Sequence, residues 1–129
     1  MKKYKFALPI KYLVNKTIND ILLRGQSYKR IAQYKEAAEI YELISEIDGP
    51  SGLLYIAMAK NLACQMKYED AIELFELANE SSKKELGFED ENCLYHIEQL
   101  KNKNSIPEEK FLDYMKGIAG NPNYTFPEK

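Results

Sequence analysis

Cys93 and His96 stand three positions apart, the spacing that brings two side chains together on one face of a helix. A thiol beside an imidazole is the pairing a nucleophile and its base would use. His96 is the only histidine and Cys64 the only other cysteine, so thiol chemistry of that kind has to run through these three residues. No motif supplies the third, orienting group or an oxyanion hole, and the pair reads as incidental neighbours. Two cysteines without a C-x-x-C spacing and a single histidine fall short of a structural zinc site, and read as buried thiols rather than as a disulfide. The twenty Asp and Glu residues fall mostly at positions of solvated helix faces, where no pair stands out as acid and base. Gly49 and Gly52 flank Pro50 at a turn and do not form a phosphate-cradling loop. The expectation is a chain with no enzyme activity, no metal and no cofactor.

At 129 residues, 45% hydrophobic and 29% charged, the chain fits one globular domain with a core of its own. The apolar run near the N-terminus, FALPI, ends at Lys11, too short for a secretion signal, and no window is apolar enough to span a bilayer. These features predict a soluble, cytoplasmic protein with no membrane partner. The net charge of −2 hides a segregation. Residues 1–35 hold nine Lys and Arg against one acid, a net of +8, and residues 36–91 hold fourteen acids against four lysines, a net of −10. Such segregation is compatible with solvated helix faces and also with a bipolar surface that steers a charged partner. The Lys2–Phe6 stretch interleaves charge with aromatics, a weak nucleic-acid signal that the acidic balance argues against.

Helical periodicity runs through the chain and no strand signal competes with it. Ile10, Leu13, Val14, Thr17, Ile18, Ile21, Leu22, Gly25 and Tyr28 lie on one face of a first helix, about 10–31. A second, about 34–47, turns Ala37, Ile40, Tyr41, Leu43, Ile44 and Ile47 inward and stops at Asp48-Gly49-Pro50. Ser51 is placed to cap a third helix reaching about Met66, and a fourth runs from Tyr68 to about Lys84. A fifth covers about 89–103. Ser105-Ile106-Pro107-Glu108 reads as a capping box opening a sixth, which ends near Ile118 before an irregular tail at 119–129. The expected fold is all-α, with six or seven helices.

YKEAAEIYELI at 34–44 and YEDAIELFELA at 68–78 begin 34 positions apart and match in chemistry along their length. The same shift places Gly25 on Ala59, Ile21 on Tyr55, Ala37 on Ala71 and Tyr41 on Phe75. Small residues at 25, 37, 59 and 71 would let paired helices approach closely while large ones fill the space around them. This pattern resembles the tetratricopeptide repeat family, with Arg24 a departure where that family has leucine. The resemblance implies a short superhelix of antiparallel pairs: a first repeat at about 18–50, a second at about 52–85 and a degenerate capping unit at about 89–118. In that last unit Lys110 stands where a small alanine belongs.

By the same resemblance, the first helix of each pair lines a concave groove. The positions carried over are Asn19, Leu22, Gln26, Lys29 and Arg30 from the first unit, and Leu53, Ile56, Lys60, Ala63 and Cys64 from the second. Asn92, Tyr95 and Gln99 follow from the third. An apolar floor under Lys29, Arg30 and Lys60 would suit a protein or peptide segment of acidic character. Covering of Leu22, Leu53 and Ile56 by a neighbouring helix or by the tail is an equal alternative. Leu22 and Gln26 stand where chaperone-binding members carry a lysine and asparagine clamp, so chaperone-tail binding is not implied. The expected function is non-catalytic protein recognition, as an adaptor or co-chaperone. Two alternatives stay open: an inhibitor or immunity protein that neutralises a toxin, and a homodimerisation domain.

Overall fold

The computed structural model describes the backbone of residues 7–127 and side chains from Lys16 onward. The Lys2–Phe6 stretch and the side chains of Ile10, Leu13 and Val14, all assigned roles above, lie outside the described residues. The described chain is all-α, with six helices and a 3-10 turn. In order these are α1 (Ala7–Arg30), α2 (Tyr34–Asp48), α3 (Gly52–Cys64), α4 (Tyr68–Leu86), α5 (Glu91–Lys101), the turn Lys103–Ser105 and α6 (Glu108–Ala119). No described helix is long and apolar enough to cross a membrane.

α1 pairs with α2 and α3 with α4, and the two hairpins turn in the same way. The Gln33 N–H donates to the Tyr28 carbonyl at 2.9 Å, and 34 residues later the Lys67 N–H donates to the Leu62 carbonyl at 3.0 Å. Ala32 and Met66 carry the positive φ that closes each turn, 63° and 65°. A non-glycine residue there costs about 1 kcal/mol, and close packing of the hairpin it joins has to offset that cost.

Packing inside each hairpin follows from side-chain size. Ala37, Tyr41 and Ile44 of α2 are buried against α1 and α3, as Ala71 and Phe75 of α4 are buried against α3. At Gly25 a Cβ would stand 2.9 Å from the Cζ of Tyr41, so only glycine admits that ring. The equivalent pair in the second hairpin is Ala59 with Phe75, both fully buried. The inward assignment of Leu43 and Ile47 does not hold: they are 43% and 57% exposed. α1 and α3 cover only the stripe through Ala37, Tyr41 and Ile44, and those two leucine and isoleucine side chains fall on its outer flank.

Helix ends agree with expectation at some places and depart at others. The Ser51 hydroxyl accepts the Leu54 N–H at 3.2 Å, and Gly49 and Gly87 close α2 and α4 with φ of 80° and 83°. The expected capping box at Ser105 is not formed. Ser105 ends the 3-10 turn, its N–H donating to the Asn102 carbonyl, and the extended Pro107 is the residue before α6. Ser105 therefore stands two positions too early to reach the first-turn N–H groups of α6.

The last two helices do not form a third close pair. α5 lies on α4 and α6 crosses α3. α5 and α6 meet through side chains: His96 Nδ1 and the Tyr114 hydroxyl are 2.8 Å apart, and Tyr95 stands edge-on to Tyr114. Phe111, Met115, Ile118 and Ala119 of α6 are buried in the same core as Cys64, Phe75 and Cys93.

Gly25→Ala gains about 1 kcal/mol in helix propensity but crowds a buried ring that has no room to move, a cost of about 1–3 kcal/mol. Denaturant unfolding should show a net loss of stability. Tyr41→Phe should be neutral or stabilising, because the Tyr41 hydroxyl is buried without a hydrogen-bond partner. A stabilised Gly25→Ala variant would contradict this packing.

Candidate functional site

α1 contacts α3, and α6 packs on α3. Its apolar side seals the Cys64 end of α3, and its C-terminus comes to rest against the end of α1. The Lys29 ammonium donates to the Ile118 carbonyl at 2.6 Å, and the Asn121 amide donates to the Arg30 carbonyl at 2.9 Å. The tail continues along α3, where the Tyr124 hydroxyl donates to the Cys64 carbonyl at 2.8 Å. Phe126 then stacks on Phe111, their ring centroids 6.0 Å apart.

What α6 leaves open is a cavity of about 310 Å³ between α1, α3 and its own C-terminal turn. Seven of the expected groove residues converge on it: Leu22, Gln26, Lys29, Arg30, Leu53, Ile56 and Lys60. Gly117, Ile118 and Gly120 of α6 and its C-terminal cap form the far wall. A second cavity of about 300 Å³, reaching Asn19, meets the first at Leu22 and Leu53. Together they make a channel along the α1–α3 seam. Its apolar residues remain accessible: Leu53 is 65% exposed, and Leu22 and Ile56 are half-buried.

The remaining expected positions do not reach this channel. Cys64 and Ala63 are fully buried beneath α6 and the tail, so neither can touch a partner. Tyr95 and Gln99 lie on α5, and Asn92 is exposed near its start. None of the three lines either cavity, and Tyr95 packs edge-on to Tyr114 of α6 instead. The expected groove positions of the third unit are therefore not gathered with those of the first two. Lys29 also departs from its expected role as a free surface cation. It is 7% exposed and serves as a cap on the C-terminus of α6, where a cation complements the unpaired carbonyls. The 34-residue shift could have shown this, since it places Lys29 on the buried Ala63.

Electrostatically the cavity is one-sided. Lys29, Arg30 and Lys60 line it with no carboxylate beside them, and among the described residues none of the three makes an ion pair. The Lys29 ammonium is held at about 8, below the ordinary lysine range, chiefly by burial; repulsion from Lys60 and Arg30 adds to this and Cys64 opposes it. Burial pushes the Cys64 thiol up to about 11. Burial and the nearby Asp90 push Cys93 up to about 12. His96 is pushed down to about 4 by burial, with Lys60 second. At neutral pH this leaves thiol and imidazole both uncharged, the opposite of a thiolate–imidazolium pair. His96 is instead engaged by the Tyr114 hydroxyl and by the Phe75 ring, stacked at 4.9 Å.

Residues Gly117, Ile118, Gly120 and Tyr124 were not among the expected site positions. No local pattern marks them, because they join the site only through contacts some 60 to 90 residues away in sequence.

The depressed His96 has a consequence for stability. In the unfolded chain it takes up a proton near pH 6.5, and in the folded chain only near 4. Its stabilising contribution is complete above pH 6.5 and is lost as pH falls toward 4. Wild type should lose about 1 kcal/mol more than His96→Gln between pH 7 and pH 5, allowing for partial exposure of the ring. Equal losses in denaturant titrations of the two proteins would refute this. Compared with known proteins, the chain matches no family model, no curated protein and no solved structure.

Proposed function

We propose that the chain is a non-catalytic protein-recognition module, an adaptor or co-chaperone, that holds a segment of a partner protein in the α1–α3 channel. The observation that carries this reading is the convergence of accessible apolar residues with unpaired cations on one channel (Leu53 and Ile56 beside Lys60 and Arg30). Apolar anchors would supply most of the affinity, and the cations would select segments of acidic character and speed encounter. The two like-turned hairpins, 34 residues apart, support reading the chain as a tetratricopeptide-type array. In that reading α6 takes the place of a third concave helix, and the partner meets the part of the groove α6 leaves free.

A second reading is that of an inhibitor or immunity protein. It is favoured by the exposed carboxylates of α2 and α4, among them Glu36, Glu39 and Glu46 on the first and Glu69, Glu73 and Glu76 on the second. These stand on the face away from the channel and would suit a basic partner. Homodimerisation through the exposed Leu53 remains the third reading.

The channel reading is tested by affinity capture with wild type and a Leu53→Asp/Lys60→Glu double variant. Both sites have solvent exposure, so circular dichroism should show an unchanged helical fold. Partner recovery is expected to fall at least tenfold in the variant. Equal recovery of the same partner by both would remove the channel as the binding site and leave the acidic face of α2 and α4 as the surface to test.

A further inference from the structure

The cavity between α1, α3 and the C-terminus of α6 is built to hold a negative charge that the chain does not itself provide. Lys29 has three ammonium hydrogens and uses one, on the Ile118 carbonyl. It is 7% exposed, so the remaining two have little access to bulk water, and Lys29 lines the cavity. Lys60 and Arg30 stand at the same cavity, and among the described residues neither has a carboxylate within ion-pair distance. Three like charges gathered without a counter-charge repel one another, and an anion would relieve that repulsion.

The type of anion follows from the rest of the lining. Ile118, whose carbonyl Lys29 caps, and the negative end of the α6 dipole stand at the same cavity wall. They lower the net positive field, which disfavours a dianion such as phosphate and leaves room for a single negative charge. Opposite the cations the wall is aliphatic, made by Leu22, Leu53, Ile56 and Ile118. The absence of side chains at Gly117 and Gly120 leaves the α6 wall shallow, with open space at Gly117. The volume, about 310 Å³, sits at the small end of ligand sites.

We infer that this cavity seats one carboxylate borne on a compact apolar group. The inference rests on the recognition role proposed above and names its anchor: the carboxylate meets Lys29 and Lys60, and the apolar group lies on Leu53 and Ile56. The same chemistry is offered by an Asp or Glu flanked by an aliphatic residue in a protein segment, and by a free short-chain monocarboxylic acid.

The test is an amide NMR titration of the full chain with four probes: sodium hexanoate, 1-hexanol, acetyl-Leu-Glu-Leu-amide and acetyl-Leu-Gln-Leu-amide. Saturable shifts are expected at Gln26, Lys60, Gly117 and Gly120 with the two charged probes. The uncharged counterparts should bind at least fivefold more weakly. Lys60→Met should weaken the charged probes at least fivefold and Lys60→Arg should not. Gln26→Glu places a competing carboxylate at the cavity and should weaken them as well. Tighter binding of the peptide supports the inference with a protein segment as the source, and tighter binding of hexanoate supports it with a free acid. The inference is overturned if no probe saturates, if the uncharged probes match the charged ones, or if Lys60→Met and Gln26→Glu both leave binding unchanged. Its fate is separable from that of the recognition role: a partner lost in the Leu53→Asp/Lys60→Glu variant with no carboxylate preference here would sink only the anchor.

Discussion

The seating of α6 across α3 is the constraint on which the rest of the molecule depends. Phe111, Met115 and Ile118 are removed from water there, and burial of three such side chains contributes about 5–9 kcal/mol. These side chains share one buried core with Cys64, Phe75 and Cys93, so α6 is part of the core rather than a surface addition. The hydrogen bond from Lys29 to the Ile118 carbonyl contributes less, about 1.5–3 kcal/mol for a charged donor. Its effect is on position. A buried ammonium without an acceptor is expensive, so α6 is held where its last carbonyls meet Lys29. The tail is then led back to Cys64 through Tyr124.

α6 touches two separate groups of side chains. On one side lies the α1–α3 channel, with its cations and aliphatic wall. On the other lies the aromatic group of Tyr95, His96 and Tyr114, tied together by ring contacts and the His96–Tyr114 hydrogen bond. The same helix gives the channel its character, since Ile118 and two glycines at its C-terminal end form the channel's far wall. The site is therefore a product of long-range packing laid over two locally encoded hairpins.

Those hairpins were legible in the sequence for a plain reason. Gly25, Ala37, Ala59 and Ala71 are small where two helix backbones approach, and Tyr41 and Phe75 are large where the gap must be filled. Each choice is visible to periodicity at 3.6 residues per turn. The turns between them were less so. Ala32 and Met66 adopt left-handed φ without the glycine or asparagine that would announce it, because hairpin packing overrides the local preference. The same holds at the start of α6, where Ser105 and Glu108 have the spacing of a capping box but Pro107 delays the helix past the serine's reach.

Helix content, the two matched pairs and the small-against-large contacts inside them were determined by the sequence alone, since each is set by residues within about 40 positions of one another. Seven of the residues that meet at the channel were named only by what the resemblance to tetratricopeptide repeats implies. Only the tertiary structure decided what they meet. Whether Lys29 is a free cation or a cap, whether Cys64 faces a groove or lies under the tail, and where the groove ends all depend on α6 and residues 120–127. Those segments arrive from 60 to 90 residues away, and the periodicity of Phe111, Met115 and Ile118 marks an apolar face without saying which element covers it.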